Sequence, residues 1–216
     1  MTSILGLLDY SGAVVFAISG ALVAARARMD IVGFALIGIV TGIGGGTLRD
    51  LLLGRLPVFW VDQPVYLLLC IAASTVTFFT VPLIASRLTM LLWADAVGLA
   101  VFAVLGADTA HAAGAPFTIA TSMGVVTATF GGIIRDVLCR ETPLILLKEI
   151  YATAALLGAL TYLAALQLEA GKPAAVLAGC LITFVLRGVG LVYGLSLPAF
   201  THPKDRPGNL GPTPRQ

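Results

Sequence analysis

The sequence predicts an all-α membrane protein with seven transmembrane helices, an inverted 3+3 repeat plus a seventh helix, and second and fifth helices broken at glycines. Three observations predict it: an apolar composition, seven segments of spanning length, and a self-match at one fixed offset. Of 216 residues, 58% are hydrophobic and 11% charged, with a mean hydropathy of +1.00. That is more apolar surface than a soluble chain of this length can bury. That surface calls for a lipid bilayer as partner, while the net charge of +2 and the lack of any dense Lys/Arg run argue against nucleic acid. Cys70, Cys139 and Cys180 lie in or at the ends of apolar segments, where a thiol behaves as a small hydrophobe, so no disulfide or zinc framework is implied.

A helix crossing the hydrocarbon core needs about 20 mostly apolar residues. On that ruler the spans fall at 4–25, 31–53, 65–85, 90–107, 117–139, 150–168 and 174–196, separated by stretches rich in charge, Gly and Pro such as "RLPVFWVDQP" and "CRETP". The first span has no Lys or Arg in its first eight residues and outruns a signal h-region, so it reads as retained. Lys and Arg set the orientation. One side carries Arg26, Arg28, Arg87, Arg140, Lys148, Lys204, Arg206 and Arg215, and the other only Arg55 and Lys172. The N-terminus is therefore expected outside the plasma (inner) membrane and the C-terminus in the cytoplasm. The domain reading is 1–88 for the first repeat, 89–170 for the second, 171–198 for the seventh helix, and 199–216 for a Pro-rich, disordered tail.

Shifted by 86 residues, the chain matches itself in two blocks. "DYSGAVVFAISGA" from Asp9 lies over "DAVGLAVFAVLGA" from Asp95, and the run containing "GIGGGTLRD" lies over the run containing "TATFGGIIRD". The second block pairs Thr41 with Thr127, Gly45 and Gly46 with Gly131 and Gly132, Arg49 and Asp50 with Arg135 and Asp136, and Pro57 with Pro143. Each copy holds three spans, so the second enters the membrane from the opposite face. Transporters of this architecture bind their cargo near midplane, at helices broken in both halves.

Each Gly in a helix interior costs about 1 kcal/mol relative to Ala. Gly44, Gly45 and Gly46, echoed by Gly131 and Gly132, are therefore expected to break their spans and bare backbone carbonyls at a permeation path. Close helix contact is the other reading of such glycines. Arg49, Asp50, Arg135 and Asp136 put charge inside spans, where it is costly and marks function. Sequence neighbours on a helix face different ways, so the expected pairing is crossed, Arg of one half to Asp of the other. These charges either border and gate the path or brace the two halves. Asp9 and Asp95 are read as helix caps or as pore-mouth carboxylates, and Arg187 as snorkelling or paired with a carboxylate. His111 is placed in a connection and His202 in the tail. With no convergent set of His, Cys, Ser or carboxylates, no catalytic or metal centre is expected and the protein does not read as an enzyme.

With the two "GG(G)xxRD" blocks, the "DxxGxxxFAxxG" segment and the three-plus-three-plus-one pattern, the sequence resembles the prokaryotic branch of the trimeric intracellular cation channel family, from about Asp9 to about Leu195. The resemblance implies a homotrimer with one monovalent-cation pore per protomer, lined by kinked second and fifth helices, with K⁺ as the permeant ion and no cofactor. Phe130 stands where a full triple glycine would have its first member. Domains of this type are also catalogued as glycine transporters, so a secondary carrier of a small solute stands as the alternative.

Overall fold

The computed structural model describes residues 4–83, 86–147 and 149–196. Among them run α1 (Ile4–Arg26), α2 (Ile31–Leu52), the one-turn α3 (Phe59–Asp62), α4 (Val65–Thr80), α5 (Arg87–Ala112), α6 (Phe117–Leu138), α7 (Ala152–Gln167) and α8 (Lys172–Tyr193). Six of these, α1, α2, α4, α5, α6 and α8, are long and apolar enough to cross a membrane, while α7 is apolar but only 16 residues long. The span expected at 150–168 is trimmed at its start because Tyr151 leaves helical geometry at the N-cap, with φ −122° and ψ −75°. The span expected at 90–107 is longer, and α5 carries exposed His111 in its last turn rather than in a connection. The tail from 199, with His202, and Lys148 lie outside the described residues.

Local chemistry sets the helix ends. Asp30 caps α2, its carboxylate accepting from Gly33 N at 2.8 Å, and Ser86 caps α5 through Thr89 N. The C-termini of α2 and α6 close in the same way. Gly54 and Arg140, one offset apart, both take positive φ (66° and 58°). Arg55 N then reaches back to Asp50 O, and Glu141 N to Asp136 O, each at 2.8 Å. This double turn satisfies carbonyls that a helix end leaves without partners.

Helices α1 and α5 form the centre, α1 packing on α2, α4 and α5, and α5 on α6, α7 and α8. The rings of Phe16 and Phe102 meet at 5.1 Å between centroids. Each lies against a glycine of the other helix: a Cβ on Gly12 would come within 3.2 Å of the Phe102 ring, and one on Gly98 would collide with Phe16. Large apolar side chains instead coat the outside. Val76, Phe79, Leu177 and Leu181 are 62, 67, 68 and 56% exposed, an arrangement suited to lipid rather than water.

The glycines correct the first expectation. α2 is helical through Gly44, Gly45 and Gly46, and α6 through Gly131 and Gly132, so neither helix is broken there. The two helices instead cross with their backbones touching. A Cβ on Gly45 would collide with the Thr127 carbonyl, and one on Gly131 with the Thr41 carbonyl. The propensity lost at these glycines is offset by dispersion across the contact and by the approach of Cα–H groups to the facing carbonyls. The expected bare carbonyls do not arise, because a continuous helix keeps them in its own hydrogen-bond ladder. Gly44 sits beside this crossing, where a Cβ would meet only the Ile134 side chain at 3.2 Å and Gly131 Cα at 3.6 Å. That position can hold a side chain, which is why its counterpart can be Phe130.

Candidate functional site

The intramembrane charges lie one turn beyond the glycine crossing, in the last turn of α2 and of α6. All four are buried, with exposures of 5, 2, 0 and 2% for Arg49, Asp50, Arg135 and Asp136. A buried ion needs a counter-charge, and the chain supplies one locally to each arginine. Arg49 Nε donates to Asp50 Oδ1 at 2.9 Å, with Nη2 at 2.8 Å from the same oxygen. Arg135 Nε donates to Asp136 Oδ1 at 2.7 Å. Each aspartate turns its second oxygen outward to hold the loop that follows its helix, Asp50 Oδ2 accepting from Phe59 N (2.9 Å) and Asp136 Oδ2 from Leu144 N (3.1 Å).

The crossed pairing is therefore wrong. Arg49 does not reach Asp136, nor Arg135 Asp50, among the described residues. Adjacent residues diverge on a helix surface only as far as their Cβ atoms are concerned. A guanidinium on a three-carbon stem folds back to the carboxylate of the next residue, which is held in place by the loop amide. The cap reading also fails, because Asp9 lies more than a turn inside α1 and Asp95 two turns inside α5. Asp9 Oδ2 accepts from the Tyr66 hydroxyl at 2.8 Å. Asp95 Oδ1 accepts from Arg135 Nη1 at 2.8 Å.

Beyond this shared plan the halves part. Arg135 uses Nη1 a second time, donating to Ser19 Oγ on α1, so one guanidinium ties α6 to α5 and to the first half of the chain. Arg49 makes no such link among the described residues, and its guanidinium carbon lies 5.6 Å from the centre of the Phe59 ring. An open polar pocket of about 470 Å³, lined by Asp50, Arg55, Phe59, Asp62 and Gln63, adjoins this first-half site. Around Arg135 the space is sealed. Asp95 Oδ2, Arg135 Nη2 and the Tyr151 hydroxyl are buried there without well-formed hydrogen bonds, around the small volume left by Gly132. Arg187 of α8 stacks over the Tyr151 ring at 5.1 Å and pairs with Glu149 at 2.7 Å, which answers the two readings of that residue in favour of a carboxylate.

Ser19, Tyr66 and Tyr151 are not defining residues of any motif that stands out in the sequence. A signal was available, because these are positions where the two copies disagree: Ser19 faces Leu105 in the self-match, Tyr66 faces Ala152, and Tyr151 faces Val65. Tyr66 occupies the Asp9 carboxylate in the first half, whereas Ala152 cannot occupy Asp95. Ser19 offers Arg135 a hydroxyl, whereas Leu105 offers Arg49 none.

Comparison with known proteins places this arrangement. A solved structure of the TRIC trimeric intracellular cation channel orthologue from Rhodobacter sphaeroides superposes with a TM-score of 0.87 at 53% identity, over 89% of this chain and 99% of that one. The chain belongs to the TRIC channel family. A prokaryotic TRIC channel crystallised in 0.5 M KCl aligns at TM-score 0.85 and 35% identity, over 91% of this chain and all of that one. The profile of the family described as "Glycine transporter" matches residues 6–82 and 92–167, two segments that begin 86 residues apart, at 6 and 92. In sequence the chain is 44% identical to the UPF0126 inner membrane protein YadS of Escherichia coli K12, over 89% of this chain and 94% of that protein. It is 41% identical to a UPF0126 membrane protein of Vibrio cholerae, over 92% of this chain and 84% of that one. TRIC proteins are channels and not enzymes, so the family assignment agrees with the lack of a catalytic set in the sequence.

Proposed function

We propose that this protein is a monovalent cation channel of the inner membrane, passing K⁺ through one pore in each protomer of a homotrimer. The observation that carries the reading is the reciprocal α2/α6 contact: two matched helices touch at matched glycines, and each delivers a buried Arg-Asp pair one turn beyond. Reciprocal contacts of this kind are the mark of a twofold relation, and with three spans per copy they support an inverted repeat and a seven-span topology. The R. sphaeroides relative, solved as a trimeric cation channel, supports the trimer and the cargo class. The N-terminus lies outside and the C-terminus inside, as the distribution of Lys and Arg requires.

The pore runs beside the glycine crossing rather than through a broken helix. Asp50 and Asp136, with Asp9 and Asp95 one layer away, supply negative charge to both ends of the path, and Arg49 and Arg135 keep those carboxylates neutralised while the path is shut. With backbones in contact at Gly45 and Gly131, the conformation described is the shut one. No resident cofactor takes part. Purified protein in planar bilayers should give unitary K⁺ currents that reverse near the potassium equilibrium potential. A folded trimer that stays silent overturns the reading.

The name of the matching profile favours one other reading, a secondary carrier of a small zwitterion such as glycine. The same preparation distinguishes it, since a carrier shows saturable uptake with fixed ion stoichiometry and no unitary events.

A further inference from the structure

We propose that the second half holds a cation site made by Asp95 and Tyr151, and that the Arg135 guanidinium occupies it in the shut state as a tethered competitor of the permeant ion. The inference rests on the channel reading above and adds to it where the path is closed and by what.

Three observations carry it. First, the site is built and incomplete. Asp95 is fully buried, with Oδ1 on Arg135 Nη1; the Tyr151 hydroxyl lies close enough to interact with the same carboxylate, yet neither that hydroxyl nor Asp95 Oδ2 has a partner of good hydrogen-bond geometry. A buried carboxylate half satisfied by a side-chain cation is a place where another cation can stand. Second, Arg135 does not need this site to remain neutralised. Its Nε is already on Asp136 at 2.7 Å, so withdrawing Nη1 from Asp95 and Ser19 leaves the guanidinium paired. Third, the same chain displays the withdrawn arrangement. In the first half Arg49 keeps its own Asp50, makes no ion pair with Asp9 and lies over Phe59 beside an open polar pocket. The Arg-Asp motif thus occurs once engaged and once disengaged within one molecule.

The charge balance is consistent. Arg187, the other cation near Tyr151, is met by Glu149 at 2.7 Å and by the Ile150 carbonyl at 3.3 Å. Asp136 stays with Arg135. When Arg135 withdraws, the carboxylate left unmatched is that of Asp95, and a monovalent cation restores neutrality. Ser19 is the latch, since its hydroxyl and Asp95 share the same Nη1.

The test is single-channel recording of the full-length protein in symmetric KCl. Ser19→Ala removes one hydrogen bond to a charged donor and should raise the open-to-shut ratio about tenfold. Arg135→Gln should raise it further. Ser74→Ala, a buried serine bonded only to Cys70 O among the described residues, should leave the ratio within about twofold. Asp95→Asn should lower the unitary K⁺ conductance, a change that loss of bracing alone does not produce. If Arg135→Gln fails to fold, Ser19→Ala decides. A conducting wild type whose Ser19→Ala ratio is unchanged, or whose Asp95→Asn conductance is unchanged, overturns the inference and leaves the channel reading standing. A silent wild type overturns both.

Discussion

The two Arg-Asp sites begin from one sequence motif and end in different states. In both, arginine folds back onto the next residue and aspartate holds the following loop by a backbone amide. In the second, arginine also spans to α5 and α1, while in the first it rests on an aromatic ring at the edge of an open pocket. The difference comes from side chains one layer out, Ser19 against Leu105 and Tyr66 against Ala152. A motif therefore fixes what a residue can do, and its unmatched neighbours fix what it does.

The largest test of this comparison acts on what the halves share. Gly131→Leu and Gly45→Leu each force a side chain into the facing carbonyl and should destabilise the detergent-solubilised protein by about 3 kcal/mol or more. Gly44→Ala, beside the crossing, should cost less than about 1 kcal/mol. Equal losses at Gly44 and Gly45 in thermal unfolding would dissolve the distinction between a crossing and a general glycine requirement.

Next comes the asymmetry itself. Arg135→Ala strips counter-charge from two buried carboxylates and should cost about 3 to 5 kcal/mol. Arg49→Ala strips it from one and should cost clearly less. A larger loss for Arg49 would reverse the assignment of which half is locked. Tyr66→Phe leaves the Asp9 carboxylate short of its phenol donor and should cost about 1 to 3 kcal/mol.

The smallest effects test what is absent. A double-mutant cycle between Arg49 and Asp136 should give a coupling below about 0.5 kcal/mol, whereas Arg135 and Asp95 should couple strongly. A large Arg49–Asp136 coupling would reinstate the crossed pairing. Arg26→Ala, which breaks a half-exposed pair with Glu141 at 3.3 Å, should change stability by about 0 to 1 kcal/mol.

Much of this was legible in the residues. Span positions follow from hydropathy, since a helix in lipid must be apolar over its length, and the 86-residue offset announced the duplicated Arg-Asp motif before any coordinate did. The glycines misled because intrinsic propensity describes an isolated helix. At Gly45 and Gly131 a facing backbone makes up for the loss, and no local window contains that partner. The cap alternative fails at Asp9 because the span already begins at residue 4, more than a turn before it, and at Asp95 because hydropathy marks the apolar core of a span and not its helical end, which extends to Arg87. The crossed ion pairs failed through side-chain reach, a property of rotamers rather than of spacing. Ser19 and Tyr66 were hidden for a different reason: attention to a repeat goes to its matches, and here the information lay in the mismatches.

Helix α8 follows both self-matching segments of the sequence and packs chiefly on the second, against α5 and α7, sending Arg187 toward Tyr151. A protein made of two equal halves has no intrinsic reason to assign them different tasks, and a mutation favourable in one is as favourable in the other. An odd helix removes that equivalence. With α8 packed there, the two halves meet different surroundings, so the same substitution is not equivalent in both, and the seventh helix is where a division of labour between them can begin.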